Sequence, residues 1–236
     1  MEPALYLIPV PISEQPFEQV LPSYNRTIIT GISFFIVENV RSAIRFLKKL
    51  DSALDINTLT FFELNEHTDS ADIGMYLEPL VTQKKSIGIL SEAGCPAVAD
   101  PGATIVALAQ KQNIRVVPLV GPSSILLALM ASGCSGQNFA FNGYLPVKSP
   151  ERENRLRQLE HRAAKEHQTQ LFIEAPYRNQ KLFAALLASC QAHTHLCVAT
   201  GITGAGEYIH THTIAEWKHK PLPPFDRVPT IFALSQ

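Results

Sequence analysis

Cysteine is sparse in this 236-residue chain, and Cys95, Cys134, Cys190 and Cys197 lie far apart with no CxxC pair. That spacing offers neither a zinc site nor a disulfide framework, so the thiols read as reduced and mostly buried. No apolar run approaches the ~20 residues that span a bilayer. The N-terminal stretch lacks a basic region and is interrupted by Pro9 and Pro11, against a signal helix; a cytoplasmic protein with no membrane partner is expected. Charged residues make up only 17% and the formal net charge is −1, so any nucleic-acid contact has to come from a local basic patch. GxGxxG is missing: Gly201, Gly204 and Gly206 have GxxGxG spacing after a late strand, which argues against a dinucleotide-dependent oxidoreductase. His210 and His212 alternate along a strand with no third ligand near them, so no metal is expected.

What is present is a globular composition, 46% hydrophobic, with 17 prolines against 12 glycines. Ala4 to Ile8 reads as a buried strand closed by Pro9-Val10-Pro11, and Ser33 to Glu38 repeats the pattern. Val40, Ile44, Leu47 and Leu50 recur at helical spacing with basic residues between them. A strand at Leu59 to Phe62, a helix from Asp69 to Val81, a strand at Ser86 to Leu90, a helix from Thr104 to Gln110 and a strand at Arg115 to Leu119 follow. This alternation predicts parallel strands with crossover helices.

The second half is expected to differ. After an apolar helix from Ile125 to Ala131 come strands at Phe139 to Gly143 and Thr169 to Ile173, with helices Glu151 to His167 and Asn179 to Cys190. Strands at His195 to Thr200, Glu207 to Thr213 and Thr230 to Leu234 then follow with only a short helix near Ile214 to Trp217. Strands without full crossovers pair antiparallel, so this half is a mixed sheet. The fold class is α/β, with a parallel-sheet domain over 1–119 and a mixed-sheet domain over 120–236.

Ligands of open parallel sheets bind beyond the carboxyl ends of the strands. Three loops qualify: Pro9 to Ser13, Ser91 to Gly102 and Val120 to Ser124. The second, Ser91-Glu92-Ala93-Gly94-Cys95-Pro96-Ala97-Val98-Ala99-Asp100-Pro101-Gly102, is rich in small residues that let backbone approach a ligand, though Asp100-Pro101 equally serves as a helix start. Gly121-Pro122-Ser123-Ser124 opens a helix whose free N–H groups suit a carboxylate; ordinary capping explains the same residues.

With Leu5-Tyr6-Leu7-Ile8-Pro9-Val10-Pro11-Ile12, Phe141-Asn142-Gly143-Tyr144-Leu145-Pro146, Phe172-Ile173-Glu174-Ala175-Pro176-Tyr177-Arg178 and Val228-Pro229-Thr230-Ile231, these loops resemble, in order and across nearly the whole chain, the signatures of tetrapyrrole methylases. The branch it resembles most is the small-subunit ribosomal RNA cytidine 2′-O-methyltransferases. The resemblance implies two α/β domains with a cofactor cleft between them, a homodimer, and S-adenosyl-L-methionine held largely by backbone. It places cofactor contacts at Pro9, Gly94, Cys95, Val98, Ser123, Ser124, Ile125, Ala199, Pro229 and Thr230.

The acceptor-side motifs depart from that branch. Pro11-Ile12-Ser13-Glu14 replaces Pro-Ile-Gly-Asn, and Val37-Glu38-Asn39-Val40-Arg41 keeps Glu38 and Arg41 of Ala-Glu-Asp-Thr-Arg. Phe62-Glu63-Leu64-Asn65-Glu66 loses both imidazoles of His-x-His-Asn-Glu, and Ala199-Thr200-Gly201-Ile202-Thr203-Gly204 loses three charged groups. Retained cofactor loops predict methyl transfer, to a ribose 2′-oxygen of small-subunit ribosomal RNA. A precorrin-type tetrapyrrole, or a noncatalytic RNA-binding homologue, are the alternatives. A ribose hydroxyl needs help in losing its proton, which makes Glu38 the candidate base; the competing reading is a helix-start carboxylate paired with Arg41. Arg41 is the candidate for a phosphate, with Arg45, Lys148, Arg152, Arg155 and Arg157 as further RNA contacts. Glu174 and Arg178 read first as a salt bridge, and Trp217 and Tyr208 as core.

Overall fold

The computed structural model describes residues 2–65, Thr68 and 73–236. Residues 1–123 and 124–236 form two compact units. The first contains β1 (Leu5–Ile8), α1 (Ser23–Ile29), β2 (Phe34–Val37), α2 (Val40–Leu50), β3 (Thr60–Glu63), α3 (Glu78–Gln83), β4 (Ile87–Leu90), α4 (Gly102–Lys111) and β5 (Val116–Pro118). Its sheet runs β3-β2-β4-β1-β5, every pair parallel.

Alternate residues of β1 enter different cores, which is why its sequence is apolar throughout. Leu5 packs with Ile36, Ile87, Ile89 and Ile105 on the side of α3 and α4. Tyr6 and Ile8 pack with Ile28, Ile29, Phe35 and Leu47 on the side of α1 and α2. Helix α2 begins at Asn39, whose Oδ1 accepts from the N–H groups of Arg41 (2.9 Å) and Ser42 (3.2 Å). It ends with Lys48 and Lys49 in the last turn, where cations suit the helix dipole.

Two departures from the sequence reading occur here. The helix expected over Asp69 to Val81 falls partly on 69–72, outside the described residues. The remainder is a 3₁₀ turn, Ile73–Leu77, followed by α3; Pro79, without an N–H and fixed in φ, starts a new helix instead of continuing one. Helix α1 has no counterpart in the sequence reading. Seven residues long, it buries only Asn25, Ile28 and Ile29, too little periodicity to register.

The second unit holds α5 (Ser124–Ser132), β6 (Phe139–Tyr144), α6 (Glu151–Glu166), β7 (Thr169–Ile173), α7 (Asn179–Ser189), β8 (His195–Thr200), β9 (Tyr208–Thr213), α8 (Ile214–Trp217) and β10 (Thr230–Ser235). Strand order is β6-β7-β10-β8-β9. Only β6 and β7, joined through α6, are parallel; the remaining pairs are antiparallel. One face packs Leu156, Leu159, Phe172, Leu182, Phe183, Trp217 and Phe232 into a single core, while α5 packs against β8, β9 and β10. Trp217 is 1% exposed and donates its indole N–H to the Leu196 carbonyl at 2.8 Å, a core role.

Candidate functional site

Strands β4, β1 and β5 are neighbours in the first sheet, so the loops leaving their carboxyl ends meet. Val10 and Gly94 exchange both backbone hydrogen bonds, at 2.9 and 3.1 Å. The Ser91 hydroxyl donates to the Gly94 carbonyl at 3.1 Å. Cys95 Sγ lies 3.4 Å from the Pro122 carbonyl. Gly94 has φ +72, and a Cβ there would lie 3.3 Å from Ile12 Cγ2. At Gly121 a Cβ would come within 2.3 Å of Pro9 Cγ, so the proline loop seats directly on the glycine. From α1, the Asn25 amide, itself 1% exposed, donates to the Val120 carbonyl at 2.8 Å and holds the third loop in place. Pro9, Gly94 and Cys95 thus share one junction in the first unit, whereas Val98 is half exposed on the second loop and Ser123 lies on the third. Asn25 is a support that sequence reasoning missed, because nothing in its local pattern marks it.

Asp100 shapes the same loop. Its Oδ1 accepts from the N–H groups of Ala97 and Gly102, both at 2.8 Å, while its Oδ2 is buried with no hydrogen-bond partner among the described residues. Ala97 (φ +65) and Ala99 (φ +61) are held left-handed, a conformation costing an alanine roughly 1–2 kcal/mol. Such strain persists only where the surroundings impose it. The helix start lies one residue later than the sequence suggests: Pro101 is the N-cap residue of α4 and carries no side-chain cap, while the Asp100 carboxylate ties the first helical N–H, that of Gly102, to the Ala97 N–H and so fixes the loop.

Glu38 follows β2, beside this loop. Burial pushes its carboxyl above the usual range, and the negative charges of Asp100 and then Glu92 push it further, partly offset by a hydrogen bond from the Glu92 backbone. Burial likewise raises Asp100, against the two N–H groups that lower it. The competing helix-start role at α2 is filled by Asn39, not Glu38. Arg41 is exposed. Next to these residues a cavity of about 240 Å³ is lined by Val10, Ser13, Glu14, Asn39, Arg45 and Glu92, among others.

In the second unit three of the remaining expected residues, Ala199, Pro229 and Thr230, come together. Ala199 and Thr200 of β8 pair with Ile231 and Thr230 of β10, and the Gly201 N–H donates to the Pro229 carbonyl at 3.1 Å. Asn179, fully buried at the start of α7, donates to Val228 O and Thr230 Oγ1, both at 2.9 Å. Its Oδ1 and the Thr200 hydroxyl oxygen are buried with no hydrogen-bond partner among the described residues. Two orphaned oxygens of this kind suit a ligand that brings amino or hydroxyl donors, because a buried acceptor left unpaired costs about 1–3 kcal/mol. Ser124 and Ile125 open α5. The four cysteines are free; burial pushes the Cys190 thiol up to about 12 and the Cys197 thiol up to about 11, which makes them inert.

A parallel five-stranded unit followed by a mixed one is the fold of a class of methyltransferases. The solved methyltransferase CobJ matches 99% of this chain and 94% of its own at TM-score 0.64 and 13% identity, and diphthine synthase 98% and 89% at 0.63 and 14%. Residues 38–218 match the family of Tetrapyrrole (Corrin/Porphyrin) Methylases, and the chain belongs to it. Its methyl donor is S-adenosyl-L-methionine, and the orphaned oxygens just described fit such a group. Among relatives, proteins named ribosomal RNA small subunit methyltransferase I are 29% identical in Vibrio cholerae (91% of this chain, 70% of that protein) and 31% in Mesorhizobium japonicum (91% and 68%). The Haemophilus influenzae protein of that name is 32% identical over 66% of this chain and 55% of its own length. The chain thus spans between 55% and 70% of the length of these relatives.

Proposed function

We propose that the chain transfers the methyl of S-adenosyl-L-methionine to a ribose 2′-oxygen of small-subunit ribosomal RNA, as a cytoplasmic homodimer. The observation that carries the acceptor is the likeness to proteins named for that RNA, which runs through both units. Pro9, Gly94, Cys95, Val98 and Ser123, with Ser124, Ile125, Ala199, Pro229 and Thr230, hold the cofactor, and Asn179 Oδ1 and Thr200 Oγ1 accept from its donors. Tight loop junctions and orphaned acceptors support that assignment.

When bound, the cofactor supplies an already activated methyl, so the protein's part is placement, exclusion of water and removal of one proton. Glu38 would take the proton from the 2′-hydroxyl as that oxygen accepts the methyl. Its raised pKa brings it nearer the pH at which it works, which favours a base. Arg41 holds a neighbouring phosphate. No helix among the described residues is long and apolar enough to cross a membrane, and scattered free thiols suit a reducing compartment.

Modification mapping of small-subunit ribosomal RNA from a deletion strain and its parent tests the acceptor. One ribose methylation should vanish on deletion and return with the restored gene; identical maps would overturn the reading. Light scattering should give about twice the 26.0 kDa chain mass; the single-chain mass across micromolar concentrations would overturn the dimer.

A further inference from the structure

β6 and β7 are the only parallel pair described in the second sheet, and the segments leaving their carboxyl ends carry two exposed aromatic rings. Tyr144, the last residue of β6, is 63% exposed, and Tyr177, after β7, is 72% exposed. Each is aimed outward by local structure. A register shift between Phe141 and Tyr144, with Gly143 at φ +62, resets the alternation at the end of β6 while Tyr144 stays paired with Ile173 of β7. Tyr177 sits in a 3₁₀ turn, Pro176–Arg178, closed by the Arg178 N–H donating to the Ala175 carbonyl at 2.8 Å.

Beside Tyr177 lies a fixed cation. Arg178 Nε and Nη2 donate to Glu174 Oε1 at 2.9 and 2.6 Å, and the Ala175 N–H donates to that oxygen at 2.7 Å. The Glu174 side chain is 3% exposed and that of Arg178 24%, so the buried carboxylate holds the guanidinium while part of it faces water. The guanidinium carbon stands 4.8 Å from the Tyr177 ring centroid, and Nη1 meets the Tyr177 hydroxyl. Both phenols are close enough to Arg178 to act on its charge. On the Tyr144 side, Arg155 Nη2 donates to Asn142 Oδ1 at 3.0 Å, and the Asn142 amide donates to Gln170 Oε1 at 3.1 Å. A second cation is thereby fixed two residues from that ring.

We propose that Tyr144, Tyr177 and Arg178 form a stacking platform for an unpaired base of the RNA acceptor, with Arg155 beside it for the backbone. The inference rests on the RNA reading above and names the part of that RNA that is gripped: a single-stranded nucleotide, not a duplex. Sequence-tolerant recognition of single strands combines aromatic faces with guanidinium groups in this way, because every base offers a π face and every linkage a negative charge. A duplex keeps its bases stacked on one another and offers the rings nothing to bind.

The test uses the full chain and a short fluorescent single-stranded RNA, with the same sequence in a duplex beside it. Tyr144→Ala and Tyr177→Ala should each weaken single-strand binding roughly 5- to 150-fold, the range of a lost base stack. Tyr144→Phe and Tyr177→Phe should stay close to wild type, and cofactor affinity should hold in all four, showing intact folding. The platform is overturned if the alanine variants bind like wild type, if phenylalanine fails as badly as alanine, or if ring loss changes only the mass by light scattering, which would make the patch a protein interface. The acceptor reading fails separately. If wild type binds the single strand through the rings yet methylates no ribosomal RNA, the platform stands and the acceptor falls; if it methylates that RNA with a KM the alanine variants leave unmoved, the reverse holds.

Discussion

Gly121→Ala is expected to weaken cofactor binding and lower the melting temperature. The added Cβ would lie 2.3 Å from Pro9 Cγ, 2.4 Å from Pro9 Cβ and 3.3 Å from Leu21 Cδ2. Neither neighbour yields easily: the first two atoms belong to a rigid ring, and Leu21 is buried. Forcing a methyl group into such a contact costs about 1–3 kcal/mol, and the strain falls on the junction where the three loops meet. Val10 and Gly94 are hydrogen-bonded across the same junction and Cys95 touches Pro122, so a shift of Pro9 displaces all three. Calorimetric titration with S-adenosylhomocysteine reads the loss, expected to exceed tenfold. Gly74→Ala is the control, since its Cβ meets nothing within 4 Å. Wild-type affinity and melting in Gly121→Ala would show that the junction is looser than its geometry states.

The strength of that junction was only half legible in the sequence. Glycine and proline at the ends of buried strands mark loops that approach something closely, and both Gly94 and Gly121 stood out for that reason. Their contact is a property of strand order: β4, β1 and β5 are neighbours only after two crossovers have been made, and no local pattern encodes which strand lies beside which. Asn25 and Asn179 were invisible for the same reason. Each is a buried amide that looks like any helical asparagine until its partner, 95 residues away at Val120 or 49 at Val228, is known. Strands and long helices were easier, because burial on one or both faces dictates their residue types position by position. Helix α1 and the 3₁₀ turn before α3 are too short to carry such a period.

Glu38→Gln is expected to slow methyl transfer by about 10²–10⁴-fold, the contribution of a positioned general base, while cofactor affinity stays near wild type. Its pH behaviour separates this from damage to the fold. In the wild type the carboxyl is pushed up, first by burial and then by the charges of Asp100 and Glu92. A base acts only when ionised, so kcat/KM should rise with pH through a limb lying above the ordinary glutamate range, and Glu38→Gln should lose that limb. Stability runs the opposite way. The folded chain binds this proton more tightly than the unfolded chain, so Glu38 favours folding most at pH below the unfolded value and loses that contribution as pH rises to the folded one. At neutral pH the ionised carboxylate is therefore a burden on the fold, and the glutamine variant should melt at or above the wild-type temperature while turning over far more slowly. The capping residue next to it gives the contrast: Asn39 bonds the N–H groups of Arg41 and Ser42, and its loss removes stability without removing a base. A Glu38→Gln enzyme with wild-type turnover and an unchanged acid limb would take Glu38 out of the chemistry and leave its raised pKa as a cost of burial beside Asp100 and Glu92.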